Sequence, residues 1–280
     1  MNGLASAWSA EPLVLAGAAL AVALFAQGFV RLRRRGRRDH APWSRALLFG
    51  AAVVLGVLAL VSPLDKVGED YLLSGHMLQH MVIGDAVPAL LLLALRGPLL
   101  FFVLPAAVLV RAARVRPLRR LLHVLLLPSV AFGLWVAVIA AWHVPMAYDW
   151  VLGNPVPHTF EHVTFFLAGL LVWSQLIDPA RREALTPLRR LWYALGLFVA
   201  GTMLANVLIF SYQPLYPAYA NQPDRLFGLS PIGDQDLAAL VMMAEQALTL
   251  GLFAWLTVRA WDFAGRRSEP RHADTHPLAS

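Results

Sequence analysis

The chain has 280 residues, of which 59% are hydrophobic and only 14% charged, with a mean hydropathy of +0.61. Soluble domains carry about a quarter charged residues, so this composition excludes an ordinary soluble globule and reads as an integral membrane protein. The absence of cysteine excludes disulfides, CxxC redox centres, thiolate metal sites and cysteine nucleophiles. A net charge of +6 and a sequence pI near 10.3 would suit nucleic acid, but the basic residues are distributed for another purpose.

Apolar runs of about 17 to 25 residues recur, the length that crosses a bilayer as a helix. They lack the alternation of a membrane β-barrel, so the fold class is all-α, a polytopic helical bundle. Glu11 precedes the first run, about 12–30, and with no basic region ahead of it the run reads as a retained span, not a cleaved signal peptide. Arg31, Arg33, Arg34, Arg35, Arg37 and Arg38 follow at once. By the positive-inside rule they place this loop in the cytoplasm and the N-terminus outside.

Span two, about 46–62, runs out to a Ser62-Pro63-Leu64-Asp65 turn, and span three, about 71–95, returns. The apolar run 98–110 is short, interrupted by Pro105 and flanked by arginines, and is expected to be re-entrant or interfacial on the cytoplasmic side. Spans four (about 121–142), five (about 158–177), six (about 191–211) and seven (about 237–258) complete a bundle over residues 1–258, and 259–280 form a polar cytoplasmic tail. Of the 23 lysines and arginines, only Lys66 and Arg225 fall in the expected outer loops. This asymmetry accounts for the pI without nucleic acid. It gives seven spans, N-terminus outside and C-terminus cytoplasmic.

The histidines stand out against this background. Span three opens with His76-Met77-Leu78-Gln79-His80-Met81 and span five with His158-Thr159-Phe160-Glu161-His162. Residues four apart share one helix face, one turn from each other. His143 ends span four at the same outer level, so five histidines are expected to converge there. A third pair, His272 and His276, lies in the tail and reads as solvated.

One helix face supplies at most two ligands to an ion, and neighbouring helices must bring the rest. His76, His80, His158 and His162, with His143 assisting, would give three or four nitrogen ligands. Met77, Met81, Met242 and Met243 offer thioethers, and Glu69, Asp85, Glu161 and Glu245 are candidates to orient the imidazoles. All-histidine sites accept copper or zinc, and adjacent thioethers favour Cu(I). The bland alternative is a polar seam between helices. Methionines are more often core filler than ligands, and Asp65, Asp149, Asp234 and Asp236 read as helix caps or solvated loop residues.

At these residues the chain resembles the CtaG-type membrane family, the assembly factors of caa3-type cytochrome c oxidase. The resemblance is carried by SPLDKVGEDYLLSGHMLQHM (62–81), WHVPMAY (142–148), HTFEHVTFFLAGLLVW (158–173), QPLYPAYA (213–220) and PIGDQDLAALVMM (231–243), in that order. It implies a seven-span bacterial plasma-membrane protein that helps make active haem-copper oxidase by handling copper, Cu(I) or Cu(II). The family's usual tryptophan is replaced here by Met243. The expected partners are the lipid bilayer and, on the outer side, an oxidase subunit or a soluble copper carrier. Two rival readings remain. One is a zinc-dependent membrane hydrolase, with three histidines on the ion and Glu69, Glu161 or Asp85 as base. The other is a bis-histidine haem protein, which leaves the second histidine of each pair unexplained.

Overall fold

The computed structural model describes residues 7–224 and 226–268, the last seven of these as backbone alone. Arg225, and His272 and His276 of the tail, lie outside the described residues. Within them the regular structure is entirely helical, with no strand. In chain order the helices are α1 (Pro12–Arg34), α2 (Trp43–Val61), α3 (Pro63–Asp70), α4 (Leu73–Met81), α5 (Val87–Ala94), α6 (Pro98–Phe102) and α7 (Ala106–Arg114). They continue as α8 (Arg116–Leu125), α9 (Pro128–Trp142), α10 (Pro145–Leu152), α11 (Pro155–Ile177), α12 (Pro187–Ile209), α13 (Pro217–Ala220) and α14 (Pro231–Ser268). Proline starts most of them, because its missing N–H and preset φ fit only a helix's first turn.

Among the described residues six stretches are long and apolar enough to cross a membrane: α1, residues 38–61, residues 73–94, α11, α12 and residues 231–261. A seventh exists only if α8 and α9, bent by 75° from each other, count together. This corrects the expected fourth span. Leu127, ahead of Pro128, is forced out of helical geometry (φ −70°, ψ 133°), so the helix that rises toward the histidine level begins at residue 128, not 121. The 98–110 run is likewise too broken to cross: α6 ends at Phe102, α7 starts after Pro105, and Gln27 on α1 donates to the Val103 carbonyl at 2.9 Å. At the other terminus α14 continues past Arg259, where the tail was expected to begin.

The two histidine-bearing stretches lie at the centre. Over an 18-residue apolar stretch of each, 56% is buried in the protein for residues 73–94 and for α11, against 17% for α1. Between α4 and α5 the helix widens into a π turn, Val82–Ala86. Pro88 removes the amide that would bond the Gly84 carbonyl and crowds it with its ring, and an inserted residue relieves that conflict. α11 meets the turn at Gly169, where a Cβ would collide with the Gly84 carbonyl and the Pro88 ring. Glycine there permits the close approach that sets α11 beside α4.

The start of α4 is held from far away in sequence. Asp234 on α14 accepts from the Leu73 amide at 2.7 Å, the Ser74 amide at 3.1 Å and the Ser74 hydroxyl at 2.5 Å. These amides belong to the helix's unsatisfied first turn, where a carboxylate also meets the favourable end of the helix dipole. Asp234 is therefore a cap, as expected, but of α4.

Candidate metal centre

α4 and α11 each begin at the same end of the bundle, and each presents its histidine pair to the other. His76 Nε2 and His80 Nε2 stand 2.8 Å apart. Ring centroids are 5.3 Å apart for His76 and His158, 5.3 Å for His80 and His162, and 4.2 Å for His158 and His162. One ring nitrogen from each of the four lies within 4.8 Å of the other three. Nitrogens about 2.0 Å from a tetrahedral ion are about 3.3 Å apart, so small side-chain rotations close this group on an ion.

All four rings are buried, His76 and His80 at 0% and 1% exposure. His80 Nδ1, His158 Nε2 and His162 Nε2 have no hydrogen-bond partner among the described residues. Buried polar atoms are nearly always paired, so three orphaned ring nitrogens in one histidine cluster require an explanation. Glu161 adds to the anomaly. It is 1% exposed, neither carboxylate oxygen has a hydrogen-bond donor, and the oxygens sit 3.8 Å from His80 Nε2 and 4.0 Å from His76 Nε2. Imidazole lone pairs and an uncompensated carboxylate are what a cation would complete.

Neighbours orient the rings. Glu69 on α3 accepts from His158 Nδ1 at 2.7 Å, leaving Nε2 as the free lone pair. Tyr219 on α13 donates to the Gly68 carbonyl at 2.6 Å, and its oxygen lies 3.2 Å from His76 Nδ1. Because that hydroxyl's hydrogen is committed to Gly68, it accepts from Nδ1 and turns the Nε2 lone pair of His76 inward. Burial pushes the Tyr219 hydroxyl well above the ordinary phenol range, keeping it a donor. Its loop is fixed by Gln235, which donates to Leu208 O at 2.9 Å and accepts from the Leu215 amide at 2.7 Å. Gly68 permits the α3–α4 crossing, since a Cβ would lie 3.0 Å from the His76 backbone.

The other expected residues fall differently. His143 is buried and donates from Nδ1 to the Ile139 carbonyl at 2.7 Å. It lies outside the four-nitrogen group and packs on Phe165, whose other neighbour is His80. It shares with His80, Met81, Asp85 and Met242 the lining of a cavity of about 30 Å³, room for a water-sized occupant. Met77, Met81 and Met242 are buried in an apolar cluster with Tyr148, Tyr216 and Tyr219, and Met243 packs against its edge.

Asp85 and Glu245 were expected to orient imidazoles, but they do not reach them. Asp85 sits on the π turn, accepts from the Trp173 indole N–H and from the Thr249 hydroxyl at 3.1 Å, and contacts the Glu245 carboxyl. Of the four candidate orienters, Glu69 alone hydrogen-bonds a histidine, while Glu161 lies among the rings.

Sequence reasoning missed Tyr219, Tyr148 and Asp65. The two tyrosines belong to the quoted segments YPAY and HVPMAY, but nothing in a loop's spacing says which ring it will face. Asp65 is no simple cap: it accepts from Gln79 at 2.5 Å, and Gln79 also holds the Ala59 carbonyl at 2.9 Å. Burial, with the nearby Glu69 charge, pushes the Asp65 carboxyl up to about 6.

Residues 23–262 match the family model for the cytochrome c oxidase caa3 assembly factor. The chain belongs to that family. The match covers every residue of the histidine centre and the elements that hold it. No curated protein and no solved structure matches the chain. As a member of an oxidase assembly family with six or seven candidate spans among its described residues, the chain is a multi-pass membrane protein with an oxidase as its partner.

Proposed function

We propose that this member of the caa3 assembly factor family holds one copper ion between α4 and α11 and passes it toward the oxidase. The observation that carries the reading is the convergence of His76, His80, His158 and His162, buried, with orphaned ring nitrogens and an unpaired carboxylate among them. The ion is cargo. Four neutral imidazoles without thiolate hold it firmly enough to capture and loosely enough to release by ligand exchange. Glu69 and Tyr219 fix the tautomers of His158 and His76, and Glu161 offsets the cation's charge. The arginine asymmetry supports a histidine end that faces outward, where an oxidase subunit or a soluble carrier would dock. His143, with Met81 and Met242 behind His80, offers a softer set of donors next to the nitrogen centre.

The test is in cells. Replacing His80 and His162 together by alanine leaves the oxidase apoprotein in the membrane without its copper, and excess copper in the medium restores part of its activity. Normal copper content of the oxidase in that variant contradicts the reading.

Glu161 supports a second reading. A carboxylate 3.8–4.0 Å from two imidazole nitrogens is where a zinc hydrolase would keep its base. Purified protein that retains zinc, and a lipid or peptide pool that changes on its deletion, would favour it. Four imidazoles crowded within 4.8 Å favour a bare ion over a haem macrocycle.

A further inference from the structure

α1 packs on α2 and α6, and a cleft of about 780 Å³ separates it from α11. Its deeper walls are apolar, including Val14, Gly17, Gly56 and Val87, but the end nearest the histidine centre is lined by Glu11, Asp65, Glu69, His158 and His162. No lysine or arginine lines it among the described residues. α3 stacks Asp65 and Glu69 one turn apart, and Glu11 comes from the start of α1, near enough for its charge to act on Asp65. Glu69 is bonded to His158, but Glu11 and Asp65 meet no lysine or arginine in the lining, and like charges brought together repel one another. The arrangement makes sense if a cation visits.

A second observation says where the cation goes. His162 is 8% exposed, its Nε2 has no partner, and it lines the cleft. His158 lines it too, with its own Nε2 unpartnered. Glu69 joins the two regions, since its side chain is 37% exposed at the rim and bonds His158 Nδ1 at 2.7 Å.

We propose that this cleft is the access route for a hydrated metal cation, gathered by the rim of Glu11, Asp65 and Glu69 and passed by Glu69 to His158 and His162. The exchange needs no proton transfer. Glu69 leaves the His158 Nδ1–H to bind the ion, water takes its place as acceptor, and the ion then moves to the Nε2 lone pairs. The destination rests on the copper reading above, but the cation selectivity of the cleft does not.

The two are tested separately in the full chain in lipid nanodiscs. Because the chain has no cysteine, Thr159→Cys places a single thiol on the cleft wall. Positively and negatively charged methanethiosulfonates are then compared without any metal present. The cationic reagent is expected to react about tenfold faster, the lower end of what charge focusing in a cleft gives. Adding Glu11→Gln and Asp65→Asn brings the ratio toward one, as does high salt. Equal rates for the two reagents in the single-cysteine protein overturn the route, whatever the metal result. In parallel, Glu11→Gln with Asp65→Asn in the cysteine-free chain is expected to slow Cu(I) loading by about tenfold and reach the parent's final occupancy. Unchanged loading kinetics contradict the route, and reduced final occupancy makes these carboxylates ligands, which also overturns it. A parent that takes no copper sinks the destination and leaves the reagent comparison to decide the cleft.

Discussion

Two polar clusters are buried against α11, one where it meets α4 and the other where it meets the π turn and α14, and they are finished differently. Around Asp85, the Trp173 indole and the Thr249 hydroxyl donate to the carboxylate. Both oxygens of the adjoining Glu245 lack a partner among the described residues, so a single hydrogen between the two carboxyls is all that this pair lacks. At the histidine centre no placement of protons does this. Ring nitrogens of His80, His158 and His162 and both Glu161 oxygens remain without partners. A cluster that needs one hydrogen to complete itself holds helices together, whereas one that leaves several ring nitrogens and a carboxylate unpartnered awaits a ligand.

The largest expected effect sharpens that contrast. Removing one central imidazole, His80→Ala, should weaken copper binding by more than the roughly 10- to 100-fold loss typical of an orienting partner. Asp85→Ala should instead leave copper binding intact and destabilise the bundle by about 1–3 kcal/mol, because the Trp173 and Thr249 donors lose their acceptor. Copper titrations and thermal melts of the two variants check both. If Asp85→Ala loses copper as His80→Ala does, the two clusters are one site and the comparison breaks.

The orienting residues come next. Glu69→Gln and Tyr219→Phe should each weaken copper about 10- to 100-fold without changing stoichiometry, measured by competition with a chromophoric Cu(I) chelator. Asp234→Ala removes the cap of α4 and should lower stability by about 1–2 kcal/mol, visible as a lower melting temperature even without metal. The smallest effect is a pH dependence. Asp65 is raised from 3.8 to about 6 in the folded protein, so folding favours its protonated form. The stability this provides is fully present below about 3.8 and lost as the pH rises through about 6. Asp65→Asn should flatten that part of the stability curve, and the change should be small because the side chain is partly hydrated.

Much of this was legible in the sequence. The four central histidines announce themselves because a four-residue spacing fixes a shared helix face, and the matching depth of the two pairs follows from where each apolar run begins. The proline positions also forecast the broken 98–110 segment. The same rule applied to Pro128 would have shortened the fourth span, but the apolar residues ahead of it (121–127) masked the break. What sequence could not supply were contacts closed by loops. Tyr219 lies 143 residues from His76 and Asp234 lies 161 from Leu73, and no local periodicity links them. Asp85 misled for a related reason. An ionisable residue one turn beyond the histidines looks like an orienter, but the π turn caused by Pro88 swings it toward Trp173 and α14.

The most direct measurement of the central claim is elemental analysis of the detergent-purified protein after Cu(I) loading, beside a variant with His76, His80, His158 and His162 all changed to alanine. The account predicts close to one copper per chain in the parent and none in the folded variant. Copper retained by the variant, or no metal in either protein, would contradict it and reduce the histidines to a polar seam between α4 and α11.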